Sequence, residues 1–280
     1  MGMETTSEIF FFSHNASKTD PALLELLEKE NVSVFESVRS YGGIIFRLEE
    51  HLKRLFASAK TVGLKISQKP LELKRILYQV LEKSERKDAF LRLTVTSQGI
   101  FVILTSRVYP KEVFERGVRV VTSVVRKSIS RAFYPEAKTS NYGSQTMATL
   151  EMPRDAFEVL FLSQEGYVRE FRTSNVFMVK QNTLFTPPAV AILDGVTKKV
   201  ILEIAREISF PVKEVYFTRH DLFNAEEVFL THTSGEIIPV RDIDGRLIGK
   251  KVPGEWTQRL MKCFRKKVKK IGEEKNFVKN

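Results

Sequence analysis

The feature that most constrains the fold is an aperiodic segment near the middle of the chain, residues 126–142 (RKSISRAFYPEAKTSNY). It shows neither the helical nor the strand repeat of apolar residues, and it contains Pro135, so it predicts a connection between two halves. Each half mixes strands and helices without strict alternation, which favours an α/β (α+β) fold with a cleft between the halves. We therefore expect an N-terminal α/β domain at 1–128, an interdomain connection at 129–138 and a C-terminal domain at 139–280.

Apolar spacing predicts the elements of both halves. In the first half we expect helices at 21–30, 49–62 and 70–84, and strands at 32–41, 44–48, 90–96, 101–106 and 117–125. In the second half we expect helices at 144–161, 193–208 and after Pro253, and strands at 167–170, 175–180, 183–186, 212–217, 226–231 and 236–241. Gly42-Gly43 is the turn signal of a hairpin.

Composition excludes several classes of protein. With 280 residues, of which 42% are hydrophobic, the chain can bury a large core. It has no apolar run near the ~20 residues that span a bilayer, and its start lacks the basic stretch of a signal peptide. The single cysteine, Cys263, leaves no internal disulfide. We therefore expect a cytoplasmic protein that does not bind a membrane.

The basic charge is concentrated at the C-terminal end. Residues 262–280 carry eight Lys/Arg and two Glu, so they supply +6 of the net charge of +11. Such a run is typical of a solvated helix end that frays into a disordered terminus. A nucleic-acid-binding tail is the alternative, and no zinc-ligand spacing supports it.

Lys138, in EAKTSNY, and Glu170, in GYVREFRTSNVF, are the first candidates for chemistry. A lysine amine can form a Schiff base, and a carboxylate can keep a pyridine ring protonated, so the pair suits pyridoxal phosphate. Each residue alone is weak evidence, because most lysines and glutamates are solvated surface charges. Lys138 gains weight from its place in the connection between the halves, where cofactors often bind.

Two segments could bind a phosphate. Val196 and Thr197 begin the helix after Gly195, where unpaired N–H groups favour an anion, although ordinary helix starts share this property. The stretch THTSG at 231–235 is a small polar turn that could form an anion-binding nest or a plain hairpin turn.

The arginines and histidines give weaker evidence for a functional site. Arg54 falls outside the apolar stripe of its helix, so the pattern alone makes it a surface residue. Arg39 and Arg92 lie in strands among apolar neighbours, where they face either solvent or the cleft. The four histidines show no metal-ligand spacing, so we expect no metal site.

Five segments, in this order, resemble the fold-type IV pyridoxal-phosphate enzymes, which include branched-chain amino-acid aminotransferases, D-amino-acid aminotransferases and aminodeoxychorismate lyase. The similarity covers about residues 34–260 and rests on FESVRSYGGIIFRLEEHLKRLFASAKTVGL, EAKTSNY, GYVREFRTSNVF, ILDGVTKKVILEIARE and EEVFLTHTSGEIIPV. It implies a smaller N-terminal α/β domain, a larger C-terminal pseudo-barrel domain and pyridoxal 5'-phosphate in the cleft between them. It also implies a homodimer whose pocket a loop of the neighbour completes.

The resemblance implies a role for each matching residue. Lys138 forms the internal aldimine and shuttles the proton of the substrate α-carbon, and Glu170 pairs with the pyridine nitrogen. The remaining cofactor contacts fall to Arg54, Val196, Thr197 and Thr233 at the phosphate and to Tyr142 at the phenolic oxygen. The substrate contacts fall to Phe35, Arg39, Arg92 and Ser234. Phe171 follows Glu170 where the family usually has a small residue, which places a bulky ring near the cofactor edge.

The leading hypothesis is an aminotransferase that moves an amino group between an amino acid and a 2-oxo acid. The FLR sequence at 90–92 is close to the Tyr-x-Arg pattern of the branched-chain enzymes and favours a branched-chain-like L-amino acid. The alternative within the family is aminodeoxychorismate lyase, which releases pyruvate and 4-aminobenzoate. A distant alternative is a non-catalytic or nucleic-acid-binding protein that uses the basic tail.

Overall fold

A computed structural model describes residues 7–13, 16–18, 32–127, 134–140 and 143–274. The described residues form two compact units. The first draws on the ranges Met1–Val108, Ala137–Asn141 and Lys267–Asn280, and the second on Tyr109–Glu136 and Tyr142–Lys266. The domain boundaries expected from the sequence, near 128 and 138, stay a prediction, and the helix predicted at 21–30 lies outside the described residues.

The first unit is built on a six-stranded antiparallel sheet. Its strands are β1 (Ser7–Ser13), β2 (Ala16–Lys18), β3 (Val34–Tyr41), β4 (Ile44–Ile45), β5 (Phe90–Val95) and β6 (Ile100–Thr105). They lie in the spatial order β2-β1-β6-β5-β3-β4. Gly42 (φ 57°) and Gly43 (φ 83°) close the β3–β4 hairpin, as predicted, because glycine adopts positive φ without steric cost.

Two helices of this unit, α1 (Leu48–Thr61) and α2 (Pro70–Lys83), match the predicted helices within one residue. Both follow from amphipathic spacing, since α1 buries Leu48, Leu52, Leu55 and Ala59 on one side. These side chains share one hydrophobic core with the inward-facing residues of β3, β5 and β6. The packing of α1 against β3 also brings the polar residues of the two elements together.

The second unit is built on a nine-stranded mixed sheet. Its strands are β7 (Val118–Arg126), β8 (Glu158–Leu162), β9 (Val168–Phe171), β10 (Asn175–Lys180), β11 (Thr183–Thr186), β12 (Val212–Glu214), β13 (Glu227–His232), β14 (Glu236–Ile243) and β15 (Arg246–Leu247). The order is β12-β11-β10-β13-β14-β7-β8-β9, with β15 paired to β14. The pairs β14–β7, β7–β8 and β11–β12 are parallel, and the others are antiparallel. Mixed pairing with interspersed helices confirms the predicted α/β (α+β) class.

The helices that follow β6 in the chain are α3 (Lys111–Arg116), α4 (Gly143–Glu151), α5 (Val196–Glu207), α6 (Arg219–Phe223) and α7 (Glu255–Glu274). The single helix predicted over 144–161 is wrong, because α4 ends at Glu151 and residues 158–162 form β8. All five residues of β8 are buried. A short, fully buried strand of this kind cannot be told from a helix by periodicity.

The basic run near the C-terminus lies on α7. Leu260 and Phe264, one turn apart, are buried, whereas Lys262, Arg265 and Lys266 are exposed. The described part of the run is therefore an amphipathic helix with a solvated basic side. Across the described ranges, no helix is both long and apolar enough to cross a bilayer.

Candidate active site

Lys138 is fixed through its backbone against the start of β3, within the first unit. Its carbonyl accepts a hydrogen bond from Phe35 N–H at 3.1 Å, and its N–H donates to Ser58 Oγ at 2.9 Å. The next residue, Thr139, forms an antiparallel bridge with Val34. The lysine that the sequence places in a connector is therefore held much like a strand residue, with its side chain half-buried.

The ring of Phe35 brings Lys138 and Arg92 together. Phe35 is buried, and Lys138 Nζ lies 4.4 Å and Arg92 Cζ 4.0 Å from the centroid of its ring. Arg39 lies four residues along β3 from Phe35, on the same face of the sheet, and its guanidinium stacks over Tyr41 at 4.8 Å. Cation–π contacts of this kind stabilise positive charge where water is partly excluded. Three of the four residues predicted to bind substrate therefore share one face of the sheet with the side chain of Lys138 near them.

Arg54 forms a bidentate ion pair with Glu36. Nε donates to Oε1 at 2.6 Å and Nη2 donates to Oε2 at 2.7 Å, and His51 Nδ1 donates to the same Oε2 at 2.8 Å. The side chains of Glu36 and His51 are almost fully buried, and that of Arg54 is 14% exposed. Arg54 is therefore not the plain surface residue that periodicity predicts. The pairing takes two of its five N–H donors.

The charge of Arg54 decides the protonation of its neighbours. Burial by itself raises the pKa of Glu36, but the charge and hydrogen bonds of Arg54, together with His51, outweigh burial and lower the pKa to about 2. Burial lowers the pKa of His51, and the charges of Arg54 and Lys138 oppose its protonation further, against the hydrogen bond and charge of Glu36. Glu36 is thus an anion at neutral pH, and His51 is a neutral hydrogen-bond donor to it.

Glu170, on β9 of the second unit, is a buried carboxylate with at least three donors. Lys127 Nζ forms an ion pair with Oε1, and Leu193 N–H donates to Oε2 at 3.1 Å. Asn175 Nδ2 lies 3.4 Å from Oε2 and also donates to the carbonyl of Leu193 at 2.9 Å. The carboxylate is therefore fixed in position from three sides.

Phe171 does not crowd this carboxylate. Adjacent strand residues point to opposite faces of a sheet, and the Phe171 ring is fully buried in the core of the unit. The loop that follows is held by Glu158, which accepts hydrogen bonds from Thr173 N–H at 3.1 Å, Thr173 Oγ1 at 2.5 Å and Ser174 Oγ at 3.1 Å. The bulky residue next to Glu170 is thus a core residue of the second unit.

Asn175 also links Glu170 to the start of α5. A Cβ on Gly195 would overlap the side-chain oxygen of Asn175, so the close approach of these two residues requires glycine. Gly195 gives α5 no side-chain cap, and the first turn of α5 contains no acidic residue. Val196 and Thr197, both buried, begin the helix. The uncapped N–H groups and the helix dipole at this end favour an anion.

The turn at 233–235 is held by a relay of hydrogen bonds. Gly235 N–H donates to His232 Nδ1 at 3.1 Å, so this nitrogen is an acceptor, and Ser234 Oγ lies 2.9 Å from the same atom. Tyr109 Oη lies 2.9 Å from Ser234 Oγ. A Cβ on Gly235 would lie 2.7 Å from the His232 ring, so the glycine makes room for the histidine. Thr233 and Ser234 therefore sit in a turn of fixed shape.

These residues fit pyridoxal phosphate, which presents an aldehyde, a ring nitrogen and a phosphate. The chain offers a lysine amine, a buried carboxylate and an uncapped helix start for these groups.

Thr231, which lies opposite Asn175 in the β10–β13 register, is 1% exposed, and its Oγ1 has no hydrogen-bond partner among the described residues. An unsatisfied buried hydroxyl costs free energy until a ligand or water binds it. Tyr142, assigned to the phenolic oxygen, lies outside the described residues.

Sequence reasoning missed the residues that hold the predicted ones. Glu36 gave a signal, because a charged residue between Val34 and Val38 on the inward side of a strand needs a buried partner. Lys127 and Asn175 gave none, since each pairs with Glu170 only through the fold of the second unit.

Comparison with known proteins identifies the family. The sequence profile described as amino-transferase class IV matches residues 33–243. A protein of Methanocaldococcus jannaschii is 34% identical over 248 residues, which are 83% of this chain and 85% of that protein. The D-alanine aminotransferase of Bacillus licheniformis is 31% identical over 84% of this chain and 87% of its own length.

The fold agrees with the sequence match. The crystal structure of the T.th. branched-chain amino acid aminotransferase with pyridoxamine 5'-phosphate has a TM-score of 0.83 and 28% identity to this chain, and 93% of each chain is covered. Both the profile and the fold extend over most of the chain. The chain therefore belongs to the class IV aminotransferase family and has the fold of the fold-type IV enzymes.

Proposed function

We propose that the protein is a pyridoxal-phosphate-dependent aminotransferase acting on an L-amino acid with a branched-chain-like side chain and on a 2-oxo acid. The observation that carries the proposal is the buried Glu170 carboxylate, held by Lys127, Leu193 and Asn175 in a chain of an aminotransferase family. Pyridoxal phosphate, when bound, supplies the carbonyl that takes up the amino group and the ring that accepts electrons from the substrate.

We assign the binding of the cofactor, the binding of the substrate and the proton transfer to individual residues of the chain. Lys138 Nζ would hold the cofactor covalently, and the same amine would move a proton to and from the substrate α-carbon. Glu170 holds a proton at the ring nitrogen. The phosphate is bound by Arg54, Val196, Thr197 and Thr233, the phenolic oxygen by Tyr142, and the substrate carboxylate by Arg39, Arg92 and the backbone of Thr233 and Ser234. Phe35 shapes the apolar side of the substrate site.

The substrate proposal rests on the first unit. Arg39 and Arg92 can each bind a carboxylate, and the buried ring of Phe35 offers an apolar surface next to them. The FLR sequence at 90–92 lies on β5 and favours the branched-chain enzymes. A D-amino acid is the other candidate, because a D-alanine aminotransferase is among the similar proteins.

The same proposal includes a homodimer in the cytoplasm. Support comes from Val124 on β7 and from Met147 and Leu150 on α4, which are 78%, 53% and 78% exposed. Large apolar side chains exposed on two elements that contact each other are typical of surfaces that bind a partner.

The test starts with purified protein and pyridoxal phosphate. We expect a yellow complex, and borohydride reduction followed by peptide mapping should place the cofactor on Lys138. Lys138→Ala should bind no cofactor covalently, whereas the control Lys60→Ala, which changes an exposed lysine of α1, should behave as wild type. A panel of L- and D-amino acids, scored by the spectral change when the amino group transfers, then identifies the donor. A colourless protein that takes up no cofactor would contradict the proposal.

The two alternatives from the sequence have separate tests. Aminodeoxychorismate lyase finds no support, because the similar proteins described above include named aminotransferases and no lyase. Pyruvate release from aminodeoxychorismate without a 2-oxo acid would reverse this judgement. Salt-dependent binding to mixed DNA or RNA, lost on removal of residues 262–280, would support the nucleic-acid alternative.

A further inference from the structure

Lys127 is one of two buried lysines among the described residues, and the other is Lys198. Lys198 Nζ donates to the carbonyl of Pro187 at 3.1 Å and to Glu214 at 3.0 Å, and the Glu214 side chain is 40% exposed, so water reaches that ion pair. Lys127 is different, because both its own side chain (7% exposed) and that of Glu170 (6%) are shielded from water. A buried ion pair of this kind calls for an explanation beyond stability.

The position of Lys127 is set by the sheet. Its N–H donates to the carbonyl of Leu162, the last residue of β8, at 2.8 Å. Its Nζ lies 5.7 Å from the centroid of the Phe161 ring and contacts Glu170 Oε1. The backbone of Lys127 is thus fixed beside the end of β8, and from this position its ammonium group contacts Glu170.

Glu158, another buried carboxylate in the same unit, has neutral hydrogen-bond donors and only a long contact to a cation. Glu158 accepts three hydrogen bonds from Thr173 and Ser174, yet burial raises its pKa despite them and despite the nearby Arg172. Glu170 is equally buried and has the neutral donors of Leu193 and Asn175. What distinguishes the two is the closeness of the cation, since the Lys127 ammonium group contacts Glu170 directly whereas Arg172 Nε lies 3.4 Å from Glu158.

We infer that Lys127 is a positioning residue that keeps Glu170 ionised and so assigns the shared proton to the ring nitrogen of the bound cofactor. The inference rests on the proposed function. One proton is shared between the nitrogen and the carboxylate, and it can lie on either. When it lies on the nitrogen, Glu170 is an anion and attracts both cations. When it lies on Glu170, Lys127 is left as a buried cation without its counter-charge.

The distances between the three charges determine whether Lys127 favours or opposes a protonated ring. Two cations bound to one carboxylate are farther from each other than either is from the carboxylate, and Coulomb energy falls with distance. The attraction between Lys127 and the Glu170 anion therefore exceeds the repulsion between Lys127 and a protonated ring. Removal of the Lys127 charge should move the proton partition toward Glu170 by at least tenfold.

The experiment uses pyridoxal phosphate labelled with ¹⁵N in the ring, bound to wild-type protein and to three variants. The ¹⁵N shift distinguishes a protonated from a neutral ring nitrogen. Lys127→Met removes the charge, Lys127→Arg keeps it, and Lys198→Met makes the same change at the other buried lysine. We expect a protonated nitrogen in wild type, Lys127→Arg and Lys198→Met, and a mostly neutral nitrogen in Lys127→Met.

A second measurement needs no cofactor. In protein labelled with ¹³C at the glutamate carboxyls, the Glu170 signal is identified by its loss in Glu170→Gln. We expect this carboxyl to be ionised at pH 7 in cofactor-free wild type and to take up its proton at least one pH unit higher in Lys127→Met. Equal titration in both proteins, or an equally protonated ring nitrogen, would overturn the inference.

The outcomes separate this inference from the proposed function. If wild type binds no pyridoxal phosphate, the proposed function fails, and the ¹³C titration still tests whether Lys127 keeps Glu170 ionised. If Lys127→Met does not fold, the ¹⁵N and ¹³C measurements on wild type and Lys127→Arg test the inference. A Glu170 carboxyl that is protonated at pH 7 in cofactor-free wild type, or a neutral ring nitrogen in wild type, overturns the inference without that variant.

Discussion

Glu36 in the first unit and Glu158 in the second are both buried, yet their pKa values move in opposite directions. Glu36 is 0% and Glu158 is 2% exposed. Burial disfavours the anion in both cases, and each has an arginine close by. The pKa of Glu36 nevertheless falls to about 2, whereas burial raises that of Glu158. Burial and the presence of an arginine therefore do not settle the charge of a carboxylate.

The geometry of the arginine accounts for the difference. Arg54 places two N–H donors on the two oxygens of Glu36, at 2.6 and 2.7 Å. The Nε of Arg172 lies 3.4 Å from Glu158, and among the described residues that nitrogen makes no hydrogen bond. A bidentate, charge-assisted contact overcomes desolvation, and a single long contact does not.

Loss of the Glu36 charge should have the largest effect. Glu36→Gln leaves Arg54 partly buried without its counter-charge, so we expect the free energy of unfolding at pH 7 to fall by about 3–5 kcal/mol. Urea denaturation measures it. The control is Glu49→Gln on α1, where the exposed ion pair with Lys74 should contribute about 0–1 kcal/mol. Equal losses in the two variants would refute the special role of the buried pair.

The stability of the protein should also depend on the protonation of Glu36 at low pH. Because the pKa of Glu36 is about 2 in the folded protein and 4.5 in the unfolded chain, its stabilisation is present in full above pH 4.5 and is lost as the pH falls toward 2. The shift corresponds to about 3 kcal/mol, at ~1.4 kcal/mol per pKa unit. Denaturation curves between pH 5 and pH 2 should show this loss in wild type and lack it in Glu36→Gln. A wild-type loss that persists in the variant would assign it to other groups.

The same pair shows what the sequence could and could not predict. Local patterns found α1 and α2 within one residue and the β3–β4 hairpin, because apolar spacing and the Gly42-Gly43 turn are encoded in neighbouring residues. They misplaced Arg54, because its partner Glu36 lies 18 residues earlier on another element. Only the family resemblance assigned Arg54 to the cofactor.

In the second unit, too, contacts between residues distant in the sequence were not predictable from local patterns. The helix prediction is wrong at residues 158–161 because their strand character depends on pairing with β7, more than 30 residues earlier. Lys127 reaches Glu170 across the same strands, 43 residues away, and nothing in its local sequence distinguishes it from a surface lysine. Sequence motifs predict the residues of the cofactor site, whereas the side chains that pair with those residues are found only through tertiary contacts.

Glu158→Gln should have a smaller effect and the opposite pH dependence. Since the folded pKa of Glu158 is raised, its favourable contribution is present below the unfolded value of 4.5 and is lost as the pH rises through the folded value. The variant lacks the buried negative charge and keeps one oxygen for Thr173 and Ser174. We therefore expect its stability at pH 7 to lie within about 1 kcal/mol of wild type. A loss as large as that of Glu36→Gln would show that Glu158 is a stabilised anion.

Arg172→Met should have the smallest effect on stability and still distinguish the two sites. The charge of Arg172 opposes the upward shift of Glu158, so its removal should raise the pKa of Glu158 further and extend the pH-dependent loss of stability to higher pH. The Arg172 side chain is 27% exposed and its Nε lies 3.4 Å from Glu158, so the free energy of unfolding at pH 7 should change by less than about 1 kcal/mol. Arg54→Met makes the same change at the bidentate pair. It should lower the free energy of unfolding several times more, because it leaves the buried Glu36 anion without its counter-charge. Urea denaturation of both variants from pH 5 to pH 8 makes the comparison, and equal losses would mean that the number and length of the arginine contacts do not control these carboxylates.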